Sequence, residues 1–198
     1  HVSEEETGLL IIKEVQEEIS IATLLYADDK PSIGDQLREV PRFGFDTGAG
    51  VRTVFARSPF EPTDAVAMVG VRQSMTRGFA TYRPHVGIDV PFSLLGHVYL
   101  PGLIVNIYGG AELVWYLRRF QFIPTAAVGI GGSVPLREGE SFQVSHAGGF
   151  VELVASYLFS RDVKVQLSLG YSGWFGLSAR SGDSYYGPQI GIGGTYKY

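Results

Sequence analysis

The chain has 198 residues, enough for one domain, and its hydrophobic content of 45% is high beside a charged fraction of 18%. A net charge of −4 and a pI near 5.6 argue against nucleic-acid binding, and the absence of cysteine excludes disulfides and thiolate metal sites. No uninterrupted apolar stretch approaches the roughly 18 residues that a membrane helix requires, so the apolar residues must be dispersed along the chain.

Residues 1–42 do not share the pattern of the rest. His1 begins a polar run that is not a signal peptide, so we expect a mature or trimmed chain. Ser3 and Glu6 have the spacing of a capping box, and a helix would place four apolar residues on one face: Leu9, Ile12, Val15 and Ile19. The alternative is a strand over residues 19–26, which would make the number of strands odd. We therefore predict a periplasmic or interfacial segment that is partly helical.

From residue 43 onward, apolar and polar residues alternate with the period of two that is typical of β-strands. The alternation predicts eight strands, at residues 43–55, 64–74, 80–92, 103–117, 120–130, 147–159, 163–175 and 186–198. Each is near the ~9–11 residues that a tilted membrane strand needs, and some are longer. Pro84, Pro124 and Pro188 fall inside these segments of a closed barrel, which has no free edge to accommodate them. Nearness to a strand start accounts for Pro188 and Pro124, whereas Pro84 calls for a bulge or a later strand start.

The connections between the predicted strands alternate in length. Short turns fall near residues 76–77, 118–119 and 161–162, and longer loops span residues 57–63, 95–101, 132–145 and 176–185. Outer-membrane barrels show this alternation together with an even number of strands, and their short turns are periplasmic. We therefore predict an all-β fold: an eight-stranded antiparallel up-and-down transmembrane β-barrel over residues 43–198, with an N-terminal extension over residues 1–42.

A soluble barrel of the lipocalin type, or a β-sandwich, would show the same alternation with its apolar face inside. The polar face decides between these folds because glycines accompany its charged residues: Gly44, Gly48, Gly50, Gly87, Gly110, Gly129, Gly170, Gly191 and Gly193. Small residues suit the crowded interior of an eight-stranded barrel, whereas an exposed surface rarely needs them. We therefore predict that the apolar face meets lipid and that the polar face fills the lumen.

The predicted lumen carries equal numbers of positive and negative residues, as a low-dielectric interior requires. We expect an ion-pair network among Asp46, Arg52, Arg72, Arg83, Asp89, Glu112, Glu152 and Lys164. Polar and aromatic residues accompany it: His85, Asn106, Tyr108, Tyr116 and Gln189. An eight-stranded barrel is just wide enough for side chains to fill, so we predict a plug; a narrow charge-lined pore is the alternative.

The last predicted strand has aromatic residues at both ends of its apolar face, which includes Ile190, Ile192, Tyr196 and Tyr198. It resembles the C-terminal strand of bacterial outer-membrane β-barrels, in which the closing aromatic is the assembly signal. Residues 43–198 as a whole resemble the small eight-stranded outer-membrane barrels, the grouping of OmpX-, OmpW- and OmpA-barrel-like proteins. The resemblance implies a place in the outer membrane of a diderm bacterium, insertion by the outer-membrane assembly machinery, and loops exposed at the cell surface.

Three functions fit this architecture. We predict a monomeric, non-enzymatic surface protein that needs no cofactor and uses its loops for envelope stability or for contact with a ligand or host molecule. The first alternative is a narrow, porin-like channel or an OmpW-like conduit for small hydrophobic molecules, with an apolar lining of Ile104, Phe150, Val154 and Trp174. The second is a lipid-modifying enzyme at the outer rim, built from His97, His146, Ser141, Ser145, Ser181 and Asp183. No cluster of His, Asp and Glu has the spacing of metal ligands.

Overall fold

The computed structural model describes residues 8–15, 19–27, 30, 32, 45–56, 64–75, 82–98, 100, 103–133, 143–160, 162–177 and 184–197. Within these ranges every regular element is a strand. The strands are β1 (Gly8–Val15), β2 (Ser20–Ala27), β3 (Phe45–Ala56), β4 (Asp64–Met75), β5 (Tyr82–Ser93), β6 (Ile104–Leu113), β7 (Trp115–Leu117), β8 (Phe120–Ser133), β9 (Gln143–Leu158), β10 (Val163–Gly176) and β11 (Tyr185–Lys197).

The N-terminal region is a two-stranded antiparallel sheet of β1 and β2. The prediction of a helix with Leu9, Ile12 and Val15 on one face is wrong, because β1 pairs with β2 from Gly8 opposite Ala27 to Val15 opposite Ser20, with two register shifts between these ends. The alternative strand over residues 19–26 lies within one residue of the observed β2. Both strands are rich in Ile and Leu, side chains that a paired strand accommodates as readily as a helix does.

The remaining strands form a closed antiparallel barrel. Each strand pairs with the next in the chain, and the wall closes where β3 pairs with β11, from Val54 opposite Gln189 to Asp46 opposite Lys197. β7 continues β6 after an interruption at Val114, so these two segments serve as one strand of the wall. The barrel therefore has eight strands, and the predicted fold class is confirmed.

Alternating residues of the barrel strands point outward or inward. The outward set is apolar and exposed, as at Val69, Leu169 and Ile192, which are 48%, 58% and 63% exposed. The inward set is buried and mostly polar, as at Asp89 and Lys164. An apolar surface facing outward on every strand would be costly in water and suits a lipid environment.

Each proline of the barrel strands lies where only one neighbouring strand is paired to it. Pro84 pairs with β6 but lies beyond the last β4–β5 pair, and Pro188 pairs with β10 but precedes the first β11–β3 pair. Pro124 pairs with β9 and lies opposite the break at Val114. The sequence predicts a bulge or a later strand start for Pro84; its pairings show no register shift, and β5 begins at Tyr82, two residues after the predicted start. Proline has no backbone N–H to donate. Because each of these prolines is paired to one neighbouring strand only, the other side does not require a hydrogen bond from it.

The two ends of the barrel differ in their connections. Arg118 and Arg119 form a two-residue turn between β7 and β8, and residues 159–162 join β9 to β10 at the same end, which we call the short-turn end. The connections at the opposite, long-loop end join β3 to β4, β5 to β6, β8 to β9 and β10 to β11. The turn predicted near residues 76–77 lies outside the described residues. β3 begins and β11 ends at the short-turn end.

Candidate functional site in the barrel lumen

Four charged side chains meet in the lumen near the short-turn end. The Asp46 carboxylate accepts hydrogen bonds from Arg83 Nη2 at 2.9 Å and from Lys164 Nζ at 3.2 Å. Arg83 also reaches Glu112, with Nε 3.3 Å from Oε1, and Ser74 donates its hydroxyl to Glu112. These residues come together because Arg83 and Glu112 are opposite one another in the β5–β6 pairing while Asp46 and Lys164 are the second residues of β3 and β10.

A second charged group lies at mid-height. Arg72 Nη1 is 2.9 Å from Glu152 Oε1, Arg52 Nη1 is 3.8 Å from Glu152 Oε2, and Arg52 Nη2 forms an ion pair with Asp89. Gln189 donates its amide to Glu152 at 3.0 Å. All eight charged residues predicted for the lumen thus lie in it, and we call them the ionic section. Burial in a low-dielectric interior makes each of them depend on its partner.

Aromatic rings cover the inner side of Arg52. Its guanidinium carbon lies 4.1 Å from the centre of the Phe150 ring and 5.4 Å from that of Tyr108, distances at which a cation is attracted to a ring face. Tyr108 and Phe150 pack edge to face with their centres 5.1 Å apart. A Cβ atom at Gly87 would collide with the Tyr108 ring, so the glycine there provides the space that Tyr108 occupies.

The other predicted polar lumen residues are also placed inside. His85 is 2% exposed and lies beside Tyr108, with ring centres 6.2 Å apart. Asn106 is fully buried and donates its amide to the Tyr185 hydroxyl at 2.9 Å. Tyr116 is half-buried in β7.

The cavities that remain in the ionic section are small. One has a volume of about 60 Å³ beside Arg52, Arg72 and Glu152, and another has about 10 Å³ beside Arg83 and Lys164. Arg72, Gln166 and Gly48 line both and therefore separate them. Volumes of this size hold a few water molecules and about one, respectively.

Towards the long-loop end the lumen becomes apolar. A cluster of buried residues, the apolar section, contains Val54, Ala56, Val66, Met68, Val98, Tyr108, Ala127, Phe150, Trp174 and Tyr185. Val54, Val66, Met68 and Trp174 have no exposed surface. Phe150 and Trp174 were expected as lumen lining, whereas Val54, Val66 and Met68 were not. The signal that could have revealed them is the run 65–71, in which residues of both parities are apolar near the start of β4.

The long-loop end also contains the histidines considered for catalysis. His97 is exposed, and its backbone N–H donates to Asp64. His146 is 1% exposed, and its Nδ1 lies 2.8 Å from Ser145 Oγ. Its burial follows from its inward parity at the start of β9. Ser141, Ser181 and Asp183 lie outside the described residues.

The outer surface carries the residues proposed as an assembly signal. Ile190, Ile192 and Tyr196 point outward from β11 and are 42%, 63% and 49% exposed, and Tyr198 lies outside the described residues. No group of His, Asp and Glu in the described part of the chain is arranged to hold a metal ion. The described part also contains no helix of the length and hydrophobicity needed to cross a membrane.

Known structures identify the fold. No family model and no curated protein matches the sequence. The crystal structure of Neisserial surface protein A matches with a TM-score of 0.56 and 14% identity, over 78% of this chain and 97% of that one. The N-terminal β-barrel domain of Pseudomonas aeruginosa OprF matches with a TM-score of 0.49 and 10% identity, over 78% of this chain and 98% of that one. The similarity to Neisserial surface protein A shows the barrel fold that the sequence predicts. This chain is, by its fold, an eight-stranded outer-membrane β-barrel.

Proposed function

We propose that the protein is a monomeric, non-enzymatic barrel whose lumen is closed by its own side chains, and which acts at the cell surface through its long-loop end. The roles we assign to that end are envelope stability and contact with a ligand or host molecule. The observation that carries the proposal is the filled ionic section, in which the cavity beside Arg52, Arg72 and Glu152 has a volume of about 60 Å³. A conducting pore needs a continuous aqueous path. In this barrel, ion pairs between side chains of different strands cross the lumen.

The orientation is part of the proposal. The short-turn end would face the periplasm, since outer-membrane barrels have short periplasmic turns and long external loops. Residues 1–42 precede β3, which begins at the short-turn end, so we assign them to a periplasmic segment that includes the β1–β2 hairpin. The apolar wall would contact the bilayer, and β11 would be the strand that the assembly machinery recognises.

The test is single-channel recording in a planar bilayer, with refolded protein whose heat-modifiable gel mobility shows that it is folded. We expect no discrete conductance steps. The double variant Arg72→Ala with Glu152→Ala removes the partition between the two cavities without changing the net charge, but it leaves the apolar section in place, so it should stay silent as well. Discrete steps from the unaltered protein that shift in Glu112→Gln or Arg83→Gln would overturn the closed lumen in favour of a channel.

The non-enzymatic part has its own test. Purified protein is incubated with outer-membrane lipids, and the lipid masses are measured before and after. We expect them to stay unchanged. A mass change that disappears in His146→Ala or His97→Ala would instead identify a lipid-modifying enzyme at the rim.

A further inference from the structure

Asp64 is a buried carboxylate outside the ionic section. It is the first residue of β4, at the long-loop end, and is 2% exposed. Backbone N–H groups of Ala65, Leu95, His97 and Val98 donate to it at 2.6, 3.0, 3.0 and 2.7 Å. Hydrogen bonds to a charged acceptor are roughly twice as strong as neutral ones, so this carboxylate holds the backbone of the β5–β6 loop firmly.

The loop after β5 is shaped to make these contacts. Ser93 donates its hydroxyl to Asp64 at 2.5 Å and accepts the N–H of Gly96 at 2.9 Å. Gly96 has φ of 77°, a conformation that residues with a Cβ rarely adopt, and nothing lies within 4 Å of a Cβ built there. The N–H of Leu94 donates to the carbonyl of Ala65 at 2.8 Å. The loop therefore folds back over the start of β4 instead of extending away from the barrel.

This folded loop delivers an apolar side chain into the barrel mouth. Val98 is 6% exposed and packs in the apolar section with Val54, Val66 and Trp174, and Leu100 packs against the same cluster. These contacts come from the inward faces of several strands, so Val98 fills space that the wall itself encloses. The hydrogen bonds to Asp64 and the burial of Val98 act on one short segment, Ser93 to Val98.

We propose that the segment from Ser93 to Val98 is a stopper for the long-loop end of the lumen, and that Asp64 is the latch that holds it in place. With the latch closed, water and solutes on that side have no access to the apolar section. When the latch is broken, the stopper lifts and the apolar section becomes accessible, while the ionic section still closes the other end. This device does not depend on which molecule the long-loop end contacts.

The absence of cysteine allows a direct test with single introduced thiols. Val66→Cys places a thiol in the apolar section, and its reaction with a charged, water-soluble thiol reagent is timed on folded protein. We expect slow reaction when Asp64 is present. In the Asp64→Asn background we expect reaction at least about tenfold faster, because weaker hydrogen bonds raise the population of the open loop.

Two controls separate latch release from general loosening. Ser74→Cys reports on the ionic section, and its reaction rate should not change with Asp64→Asn. Gly96→Ala strains the loop by its φ without touching the wall, so it should accelerate the Val66→Cys reaction even if Asp64→Asn fails to fold. Equal rates at Val66→Cys with and without these changes would overturn the proposal, as would fast reaction while Asp64 is intact. Bilayer conductance is a separate readout, so failure of the stopper and failure of the closed lumen are distinguishable.

Discussion

The ionic section and the apolar section both close the lumen, but in different ways. The ionic section does so with long charged side chains that meet across the barrel, as Arg72 and Glu152 do at 2.9 Å. The apolar section does so by packing, with Trp174 and Met68 fully buried. In the ionic section, removing one charged group leaves another buried charge without its partner. In the apolar section, shortening a side chain leaves a cavity. Closure of the lumen therefore depends on ion pairs in the ionic section and on the packed volume of the side chains in the apolar section.

The largest effect that sharpens this contrast is expected from Trp174→Ala. Trp174 has no exposed surface, and truncation would leave a cavity in the apolar section, so we expect the free energy of unfolding to fall by about 3–5 kcal/mol. Urea unfolding of the protein in lipid vesicles measures it. The matched control is Trp115→Ala, at an outward position that is 60% exposed. An equal loss at both positions would mean that the apolar section does not contribute as a packed core.

A smaller loss is expected from Lys164→Met in the ionic section. Asp46 would lose one charged donor but keep Arg83 at 2.9 Å, so we expect about 1.5–3 kcal/mol of lost stability in the same unfolding assay. Asp46→Asn alone and the double variant complete a double-mutant cycle. Strictly additive losses would show that Asp46 and Lys164 are not coupled and would break the distinction between pairing and volume.

The smallest effect concerns the wall. Val128 is 75% exposed on the outer face, whereas Val154 is 1% exposed in the lumen. Val128→Ala should change the free energy of unfolding by about 0.5 kcal/mol or less, because surface substitutions away from packed features have little effect. Val154→Ala, the same chemical change inside the barrel, should cost clearly more. The reverse order would place the core of the protein on the outer surface.

Much of the wall could be predicted from the sequence because a strand has a side-chain period of two. That period assigned Lys164, Glu152 and Asp89 to the lumen and Val69 and Ile192 to the outer face, and the structure places them there. The period could not predict which charged side chains form ion pairs with one another in the lumen. Arg72 meets Glu152 from a strand far away in the chain, and such contacts depend on the closed diameter and on side-chain rotamers rather than on parity.

The part of the apolar section formed by Val54, Val66 and Met68, and the latch, could not be predicted for a different reason. Near the start of β4, both inward Val66 and Met68 and outward Val69 are apolar, so parity gives no contrast there. Asp64 resembles an ordinary polar residue at a strand start, and its role depends on N–H groups of a distant loop. The sequence predicts a helix in place of the N-terminal hairpin because Leu9, Ile12 and Val15 are spaced by three, which fits a helix and not a regular strand. The β1–β2 pairing contains two register shifts, and these disturb the period of two.

The seam between β3 and β11 has a kinetic consequence. It joins the first and last strands of the wall, which are the most distant in the chain, so we expect it to form after the pairings between neighbouring strands. Until then, both terminal strands present unpaired backbone groups to their surroundings, and an unpaired strand edge is a template for wrong association. Contacts between distant parts of a chain also slow folding. The rate of closing this seam, more than the stability of the finished barrel, should therefore determine how much of the newly made protein is lost to aggregation.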